Sequence, residues 1–332
     1  MEKAAWRLAE TGSAMLCRVL AAALLGALAL AAAAQSYPNR PVRLIIPFPP
    51  GGSNDVVGRI VGVQLAARLG QSVVMENRGG GGGTLGINAA AKSPADGYTL
   101  LLVSVGYPMS IALGQMPRES VQWFAPIAAL GTGPSILVVP AAIPAHTLGD
   151  LVQLAKQKPG ALNAGSAGPG SFQHLATELF RLQAGIDVVI VQYKGGGPAL
   201  TDTMANIVQM NVGSVIQNLP HVRSGKLRAL GIGGPRRIAA APEIPTFAEA
   251  GLPGAEAANW WGLVAPAGTP QAALDKVRIE VAGLLDAEDT RKRFELEGAE
   301  VLRMQPAEFG AHIVAETAKW SQVVKQANIR VE

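Results

Sequence analysis

The chain has 332 residues, which is enough for two domains or one large domain. Hydrophobic residues make up 49% and charged residues 16% of the chain, a balance typical of a globular protein. The net charge is only +4, no run of basic residues occurs, and aromatic residues make up 5%, so the composition argues against nucleic-acid binding.

The first 34 residues predict a secretory signal peptide. Basic residues, the last of them Arg18, precede an uninterrupted apolar run from Val19 to Ala34, and the chain becomes polar at Gln35. The small residues Ala32–Ala34 predict cleavage near Ala34. An N-terminal membrane anchor is the alternative, but a membrane span needs about 20 apolar residues and this run is shorter.

The predicted mature chain begins at Gln35 and has no cysteine, because the only one, Cys17, precedes the apolar run. It therefore needs neither a disulfide nor thiolate chemistry. Translation from Met1 or from Met15 leads to the same mature protein. We expect an exported protein of a bacterial periplasm.

The first part of the mature chain alternates short apolar runs with helical patterns. A buried strand is predicted at Val42–Phe48, and a helix begins at Ser53 or Asn54 and runs to about Leu69. The next elements are a strand at Ser72–Asn77, a glycine run with a short helix to Lys92, and a strand at Tyr98–Ser104. Repeated strand–loop–helix units predict an α/β fold with a mainly parallel sheet.

A second set of elements begins near Gly131. The predicted elements are a strand at Ser135–Val139, a helix from a capping box at Thr147–Asp150 to Lys158, a helix ending near Ala184, strands at 188–192, 208–212 and 227–231, and helices beginning near Pro270 and Pro306. Proline- and glycine-rich linkers near Gly131–Pro134 and at Gly251–Gly254 predict a hinge between two domains.

The common sequence motifs for cofactor and metal binding are incomplete or absent in this sequence. Gly81–Gly86 matches the glycine pattern of dinucleotide-binding proteins, but the next strand ends without the acidic residue that holds a ribose hydroxyl. No phosphate-loop sequence occurs, and the four histidines form no short metal-binding pair. We therefore predict no cofactor and no metal site.

A secreted α/β serine hydrolase is the alternative function to a binding protein. The segment Ala164–Gly168 misses the nucleophile-elbow pattern by one glycine, with Ser166 at its centre, and Ser53 is a second candidate nucleophile. Neither serine has a histidine close in sequence, so a base would have to be supplied by the fold.

Three glycine-rich loops each follow a strand and open a helix: Pro49–Asn54, Ser166–Ser171 and Gly195–Pro198. Glycine lets main-chain N–H groups approach a ligand closely, and a helix start adds the positive end of a dipole, so the loops predict a neutral-walled anion site. The candidate ligand-binding residues are Phe48, Gly51, Gly52, Ser53, Asn54, Ser104, Ser166, Gly168, Ser171, Tyr193, Gly195, Gly196 and Gly213.

Several segments together resemble the Bug/TctC family, the extracytoplasmic solute receptors of tripartite tricarboxylate transporters. The segments, matched in order and spacing over nearly all of the mature chain, are Tyr37–Val42, Pro47–Gly52, Glu76–Arg78, Asp96–Leu101, Tyr193–Asp202, Gly225–Leu230, Pro245–Gly254 and Ala265–Pro270. The resemblance implies a periplasmic-binding-protein-like fold of two α/β domains with a ligand cleft between them. Domain 1 would comprise 35–132 and 256–332, and domain 2 would comprise 133–255.

The resemblance also implies a function. It implies a receptor, not an enzyme, that closes its two domains on a small carboxylate and delivers it to the inner-membrane subunits of such a transporter. We expect a monomer with a carboxylate held by main-chain N–H groups and hydroxyls. A Cβ added at Gly52 or Gly196 is then expected to be costly, because it intrudes on the ligand or on a positive-φ turn.

Two departures from the family pattern bear on the ligand. Gly213 stands where the family often has an aspartate, and Pro169 stands where it usually has an asparagine. These departures predict a cleft that has lost polar side chains on the domain 2 side. Ligands with an ammonium group are then disfavoured, and plain organic acids are favoured.

Overall fold

A computed structural model of the protein describes residues 37–326 and residue 329. The chain divides into two units, 1–39 and 40–332. Of the first unit only Tyr37, Pro38 and Asn39 are described, with a cis peptide bond between Tyr37 and Pro38. The predicted signal peptide, its cleavage site and Cys17 lie outside the described residues. No helix in the described part is long and apolar enough to span a bilayer.

The second unit alternates strands and helices along the chain. The strands are β1 (Val42–Ile46), β2 (Val73–Asn77), β3 (Thr99–Ser104), β4 (Phe124–Pro140), β5 (Asn163–Ser166), β6 (Val189–Gln192), β7 (Asn211–Ser214), β8 (Leu227–Gly233), β9 (Ala258–Pro266) and β10 (Glu300–Val301). The helices are α1 (Ser53–Leu69), α2 (Thr84–Ala91), α3 (Gly106–Ala112), α4 (Leu148–Gln157), α5 (Phe172–Ala184), α6 (Gly196–Met204), α7 (Val215–Arg223), α8 (Gln271–Asp286), α9 (Glu288–Leu296) and α10 (Pro306–Gln326).

The first lobe is built on the sheet order β10-β4-β9-β3-β1-β2. Strand β1 pairs in parallel with both β2 and β3, but β9 pairs antiparallel with β3 and with β4. The prediction of a mainly parallel sheet is therefore wrong. The antiparallel strand β9 comes from a later part of the chain, and no strand was predicted there.

The second lobe shares strand β4 with the first. The C-terminal half of β4 pairs antiparallel with β7 and β8, while β5 and β6 form a separate parallel pair. The predicted linker at Gly131–Pro134 therefore lies inside a continuous strand. Gly131 allows β4 to pack closely against Phe294, because a Cβ at this position would collide with the ring of Phe294. The second predicted linker, Gly251–Gly254, lies outside helices and strands.

Local signals place most element boundaries. Helix α1 starts after Gly52 in extended conformation and ends at Gly70 in the left-handed region, with Val57, Val61 and Leu65 fully buried on one face. The predicted capping box at the start of α4 is present, with reciprocal hydrogen bonds between Thr147 and Asp150. Strand β7 begins three residues later than the apolar run predicted.

Candidate functional site

A cavity lies where the loops after several strands of the two lobes meet. It is lined by Phe48, Gly52, Ser53, Asn54, Ser104, Ala167, Ser171, Phe172, Gln173, Gly196, Gln217 and Asn259. These residues follow or end β1, β3, β5, β6 and β7, except Asn259, which lies near the start of β9. Ligands of open α/β sheets bind outside the carboxyl ends of strands. The space between these residues is about 350 Å³ when its part open to solvent is counted.

Two helix starts face each other across this cavity. Helix α1 begins after Gly52 and α6 begins after Gly195, and neither has a side-chain cap. The position of a Cβ on Gly52 lies 3.7 Å from the main-chain nitrogens of both Gly196 and Gly197. The first N–H groups of a helix lack intrahelical partners and carry partial positive charge. The arrangement therefore favours an anion between the lobes.

Asp55 and Asn77 fix the loop that precedes α1. The Gly51 N–H donates to Asp55 Oδ2 at 3.0 Å, and Asn77 Nδ2 donates to Asp55 Oδ1 at 2.9 Å and to the Phe48 carbonyl oxygen at 3.0 Å. Burial raises the pKa of Asp55, but hydrogen bonds from Arg59, Gly51 and Asn77 outweigh it and lower the pKa below its ordinary value. The carboxylate thus stays ionised and holds the loop in shape.

A chain of hydrogen bonds in the first lobe sets the direction in which Ser104 donates. The indole Nε1–H of Trp261, which can only donate, bonds Asn54 Oδ1 at 3.0 Å, so the amide group of Asn54 faces Ser104. Asn54 Nδ2 donates to Ser104 Oγ at 3.3 Å. All three side chains are buried. Ser104 therefore accepts from Asn54, and its hydroxyl hydrogen is available to the cavity.

A second chain of hydrogen bonds sets the amides of the second lobe. The Gly196 carbonyl can only accept, so Gln217 donates to it through Nε2, at 2.8 Å, and turns its Oε1 toward Gln173. Gln173 Nε2 donates to Gln217 Oε1 at 3.3 Å. Both glutamines are 4% exposed, and Gln173 Oε1 has no partner among the described protein groups. Gln173, which lines the cavity, therefore has a buried acceptor oxygen that no described protein group uses.

His174 supports the loop before α5. Its ring Nδ1 accepts the Gly170 N–H at 3.3 Å, and the main-chain N–H of His174 donates to Ser171 Oγ at 3.2 Å. Burial lowers the pKa of His174, and nearby Glu178 only partly opposes this. The imidazole is therefore neutral and serves as a structural acceptor.

The sequence-predicted residues divide into two groups. Those that line the cavity are Phe48, Gly52, Ser53, Asn54, Ser104, Ser171 and Gly196. Those that do not line it are Gly51, Ser166, Gly168, Tyr193, Gly195 and Gly213. The hydroxyl of Tyr193 donates to Asp202 at 2.7 Å. Burial, and to a smaller extent the Asp202 carboxylate, raises the pKa of Tyr193 to about 12. Tyr193 is thus engaged in its own lobe.

The expected reason for Gly52 and Gly196 needs correction, because neither has a positive φ. The backbone at Gly52 is extended, with φ −85°, and the nearest atoms leave ordinary contact distance for a Cβ. The left-handed residue is Gly51, with φ +84°. At Gly196 a Cβ would lie 2.7 Å from Gln217 Oε1, so this glycine protects the second chain of hydrogen bonds.

Polar side chains surround Gly213 on the second lobe. A Cβ on Gly213 would lie 2.5 Å from Asn211 Oδ1, 2.6 Å from Asn218 Nδ2 and 3.0 Å from Gln173 Nε2. Buried amides thus surround Gly213, and the second lobe is polar at this point.

Sequence reasoning missed five lining residues: Ala167, Phe172, Gln173, Gln217 and Asn259. Ala167 lies inside the predicted loop Ser166–Ser171, but no motif marks the other four. Gln173 and Gln217 lie in the first turns of α5 and α7, the helices that follow β5 and β7, as Asn54 lies in the first turn of α1, the helix that follows β1. Their position at a helix start is therefore the signal that identifies them, because the predicted loops are those that follow a strand and open a helix.

Comparison with known proteins decides the family. The model of the TctC family, described as the tripartite tricarboxylate transporter family receptor, matches residues 57–329. The chain belongs to this family. It is 35% identical to the protein BugT of Bordetella pertussis, over 90% of this chain and 93% of BugT.

Two solved structures of R. palustris proteins are similar to this TctC-family chain. One, Rpa4515 with adipate, is 33% identical with a TM-score of 0.85, covering 89% of this chain and 99% of that one. The other, MatC with bound malate, is 31% identical with a TM-score of 0.82, covering 87% of this chain and 100% of that one. The two-domain periplasmic-binding-protein-like fold is confirmed.

The TctC family consists of solute-binding receptors, so the receptor function is confirmed and the alternative of a serine hydrolase is not supported. The geometry agrees with this conclusion. No histidine lines the described cavity, and the hydroxyl of Ser166 is fully buried without a partner in the described residues. Ser53 is contacted by Asn259 Nδ2 at 3.5 Å, and an amide is not a general base.

Proposed function

We propose that this receptor binds a small organic acid between its lobes, with the carboxylate held at the facing starts of α1 and α6. The observation that carries the proposal is the pair of helix starts without side-chain caps on one cavity. None of the described residues lining the cavity carries a charge, so the donors are main-chain N–H groups and serine hydroxyls, among them that of Ser104. The adipate and malate of the two similar proteins are carboxylates and support this assignment.

Closure of the lobes accompanies binding in this proposal. The loop before α1 touches the loop before α6, where a Cβ on Gly197 would collide with the Pro50 carbonyl oxygen. A ligand between two lobes favours the state in which both contact it. We propose that the lobes correspond to 35–132 with 256–332 and to 133–255.

The receptor works in the periplasm in this proposal. Its signal peptide is cleaved near Ala34, and it acts as a monomer. It delivers the acid to the inner-membrane subunits of a tripartite tricarboxylate-type transporter, as the family description supports.

A melting screen of the mature protein against organic acids and amino acids tests the ligand class. An acid at 100 times its Kd adds about 2.7 kcal/mol to the free energy of unfolding, which raises the Tm. The variant Ser104→Ala should weaken binding about tenfold or more, because a hydrogen bond to a charged group is lost. Ser110→Ala is the matched control, since Ser110 is also buried but does not line the cavity. Stabilisation by amino acids alone would contradict the proposal.

A further inference from the structure

The acceptor oxygen of Gln173 is a feature that a carboxylate ligand alone does not use. Its orientation is fixed, because the Gly196 carbonyl sets Gln217 and Gln217 in turn sets Gln173. Turning the Gln173 amide over would set two oxygens, Gln173 Oε1 and Gln217 Oε1, against each other. The lining residue Gln173 is 96% buried and therefore has little access to bulk solvent.

A buried hydrogen-bond acceptor such as Gln173 Oε1 determines which ligand group can lie against it. An ionised carboxylate has only acceptor oxygens, so against Gln173 Oε1 it would leave both sides without a hydrogen. A methyl or methylene group would leave the oxygen buried and unsatisfied. A hydroxyl or a primary amide supplies the missing hydrogen.

Charge narrows the choice of donor further. An ammonium group also donates, but no acidic side chain is among the described residues that line the cavity. A buried charge without a counter-charge is unfavourable. The apolar lining residues Phe48, Ala167 and Phe172 fit a carbon skeleton that carries the polar groups.

We propose that the ligand carries an uncharged hydrogen-bond donor, a hydroxyl or a primary amide, in addition to its carboxylate, and that Gln173 Oε1 accepts from it. This inference rests on the proposed function. It identifies the substrate class as hydroxy acids and acid amides and makes Gln173 the residue that determines specificity.

Calorimetric titration of the mature protein at pH 7.5 with matched acids tests the inference. The probes are butanoate and hexanoate, their 2-hydroxy and terminal-hydroxy derivatives, the acid amides succinamate and adipamate, and the dicarboxylates succinate and adipate. We expect at least one hydroxy acid or acid amide to bind about tenfold or more tightly than its parent acid and than the dicarboxylate of the same length.

Variants assign the preference to Gln173. In Gln173→Met the hydroxy acid should bind no more than about twofold better than its parent. Gln115→Met is the matched control, because Gln115 Oε1 also has no partner among the described groups but Gln115 does not line the cavity. Its preference should equal that of the unmodified protein. In Gln173→Glu, 4-aminobutanoate should bind more tightly than 4-hydroxybutanoate, because the variant supplies the missing counter-charge.

The outcomes separate the inference from the function on which it rests. Binding of the parent acids with no preference for a hydroxyl or an amide derivative, a dicarboxylate as the tightest ligand, or a preference that survives in Gln173→Met would each overturn the inference alone. Absence of binding by every acid would overturn the proposed function and the inference with it.

Discussion

Substitution of Gly197 by alanine tests whether the lobes must close to hold a ligand. The position of its Cβ lies 3.3 Å from the Pro50 carbonyl carbon and 3.4 Å from the Gly51 carbonyl carbon, and it collides with the Pro50 oxygen. Pro50 and Gly51 belong to the opposite lobe, so the overlap arises only when the lobes meet. Each lobe alone is expected to fold as before.

The expected magnitude follows from the overlap. An added methyl in a tightly packed contact costs about 1–3 kcal/mol. If the closed state carries this cost, the Kd of the ligand rises about 5- to 150-fold, since each 1.4 kcal/mol is a factor of ten. The closed state is disfavoured without any change in the groups that touch the ligand.

Calorimetry of Gly197→Ala with the best ligand of the melting screen measures this effect. Gly149→Ala is the matched control, because Gly149 lies in α4 of the same lobe and its Cβ would meet only Thr147 Oγ1, at 3.7 Å. Both variants should unfold in urea close to the unmodified protein when no ligand is added. An unchanged Kd in Gly197→Ala would refute closure as a condition of binding.

Three further predictions follow from the loops and the N-terminus. Gly51→Ala should lower the free energy of unfolding by about 1–2 kcal/mol and more than Gly52→Ala does, as measured by urea titration, because only Gly51 has a left-handed backbone; equal losses would show that φ does not decide the cost. The pKa of His174 is lowered in the folded protein, so the unfolded chain binds the proton more readily and the free energy of unfolding should fall as the pH drops below about 6.5. In His174→Gln the Tm should therefore depend less on pH between pH 7 and pH 5, and an unaltered dependence of the Tm on pH would count against this prediction. Mass spectrometry of the exported protein should give a chain that starts at Gln35, whereas a product that retains Cys17 would exclude cleavage near Ala34.

The local parts of the fold could be predicted from sequence, whereas long-range pairing could not. Glycine at both ends of α1 and the Thr147–Asp150 box are local signals, and the structure places those helices as expected. Strand β9 carries the buried Trp260–Trp261 pair, and its antiparallel place beside β3 depends on contacts far along the chain. The same limit explains the linker predicted at Gly131–Pro134, because its pairing with β9 cannot be seen locally.

The candidate site shows the same division. The glycine-rich loops identify the cavity through Gly52 on the first lobe and Gly196 on the second. Such loops can be recognised because their residues are consecutive in the sequence. Gln173 and Gln217 are 44 positions apart and gain their meaning only from the hydrogen bond between them. No single-sequence pattern reports such a pair.

Titration of the mature protein with the acid that raises its Tm most, followed by NMR of the mixture, tests the central claim most directly. The account predicts saturable binding of one acid per chain, with the acid recovered unchanged after the protein is denatured. Conversion of the acid into a product, or failure of every carboxylate to bind, would contradict the assignment of this chain as a carboxylate receptor.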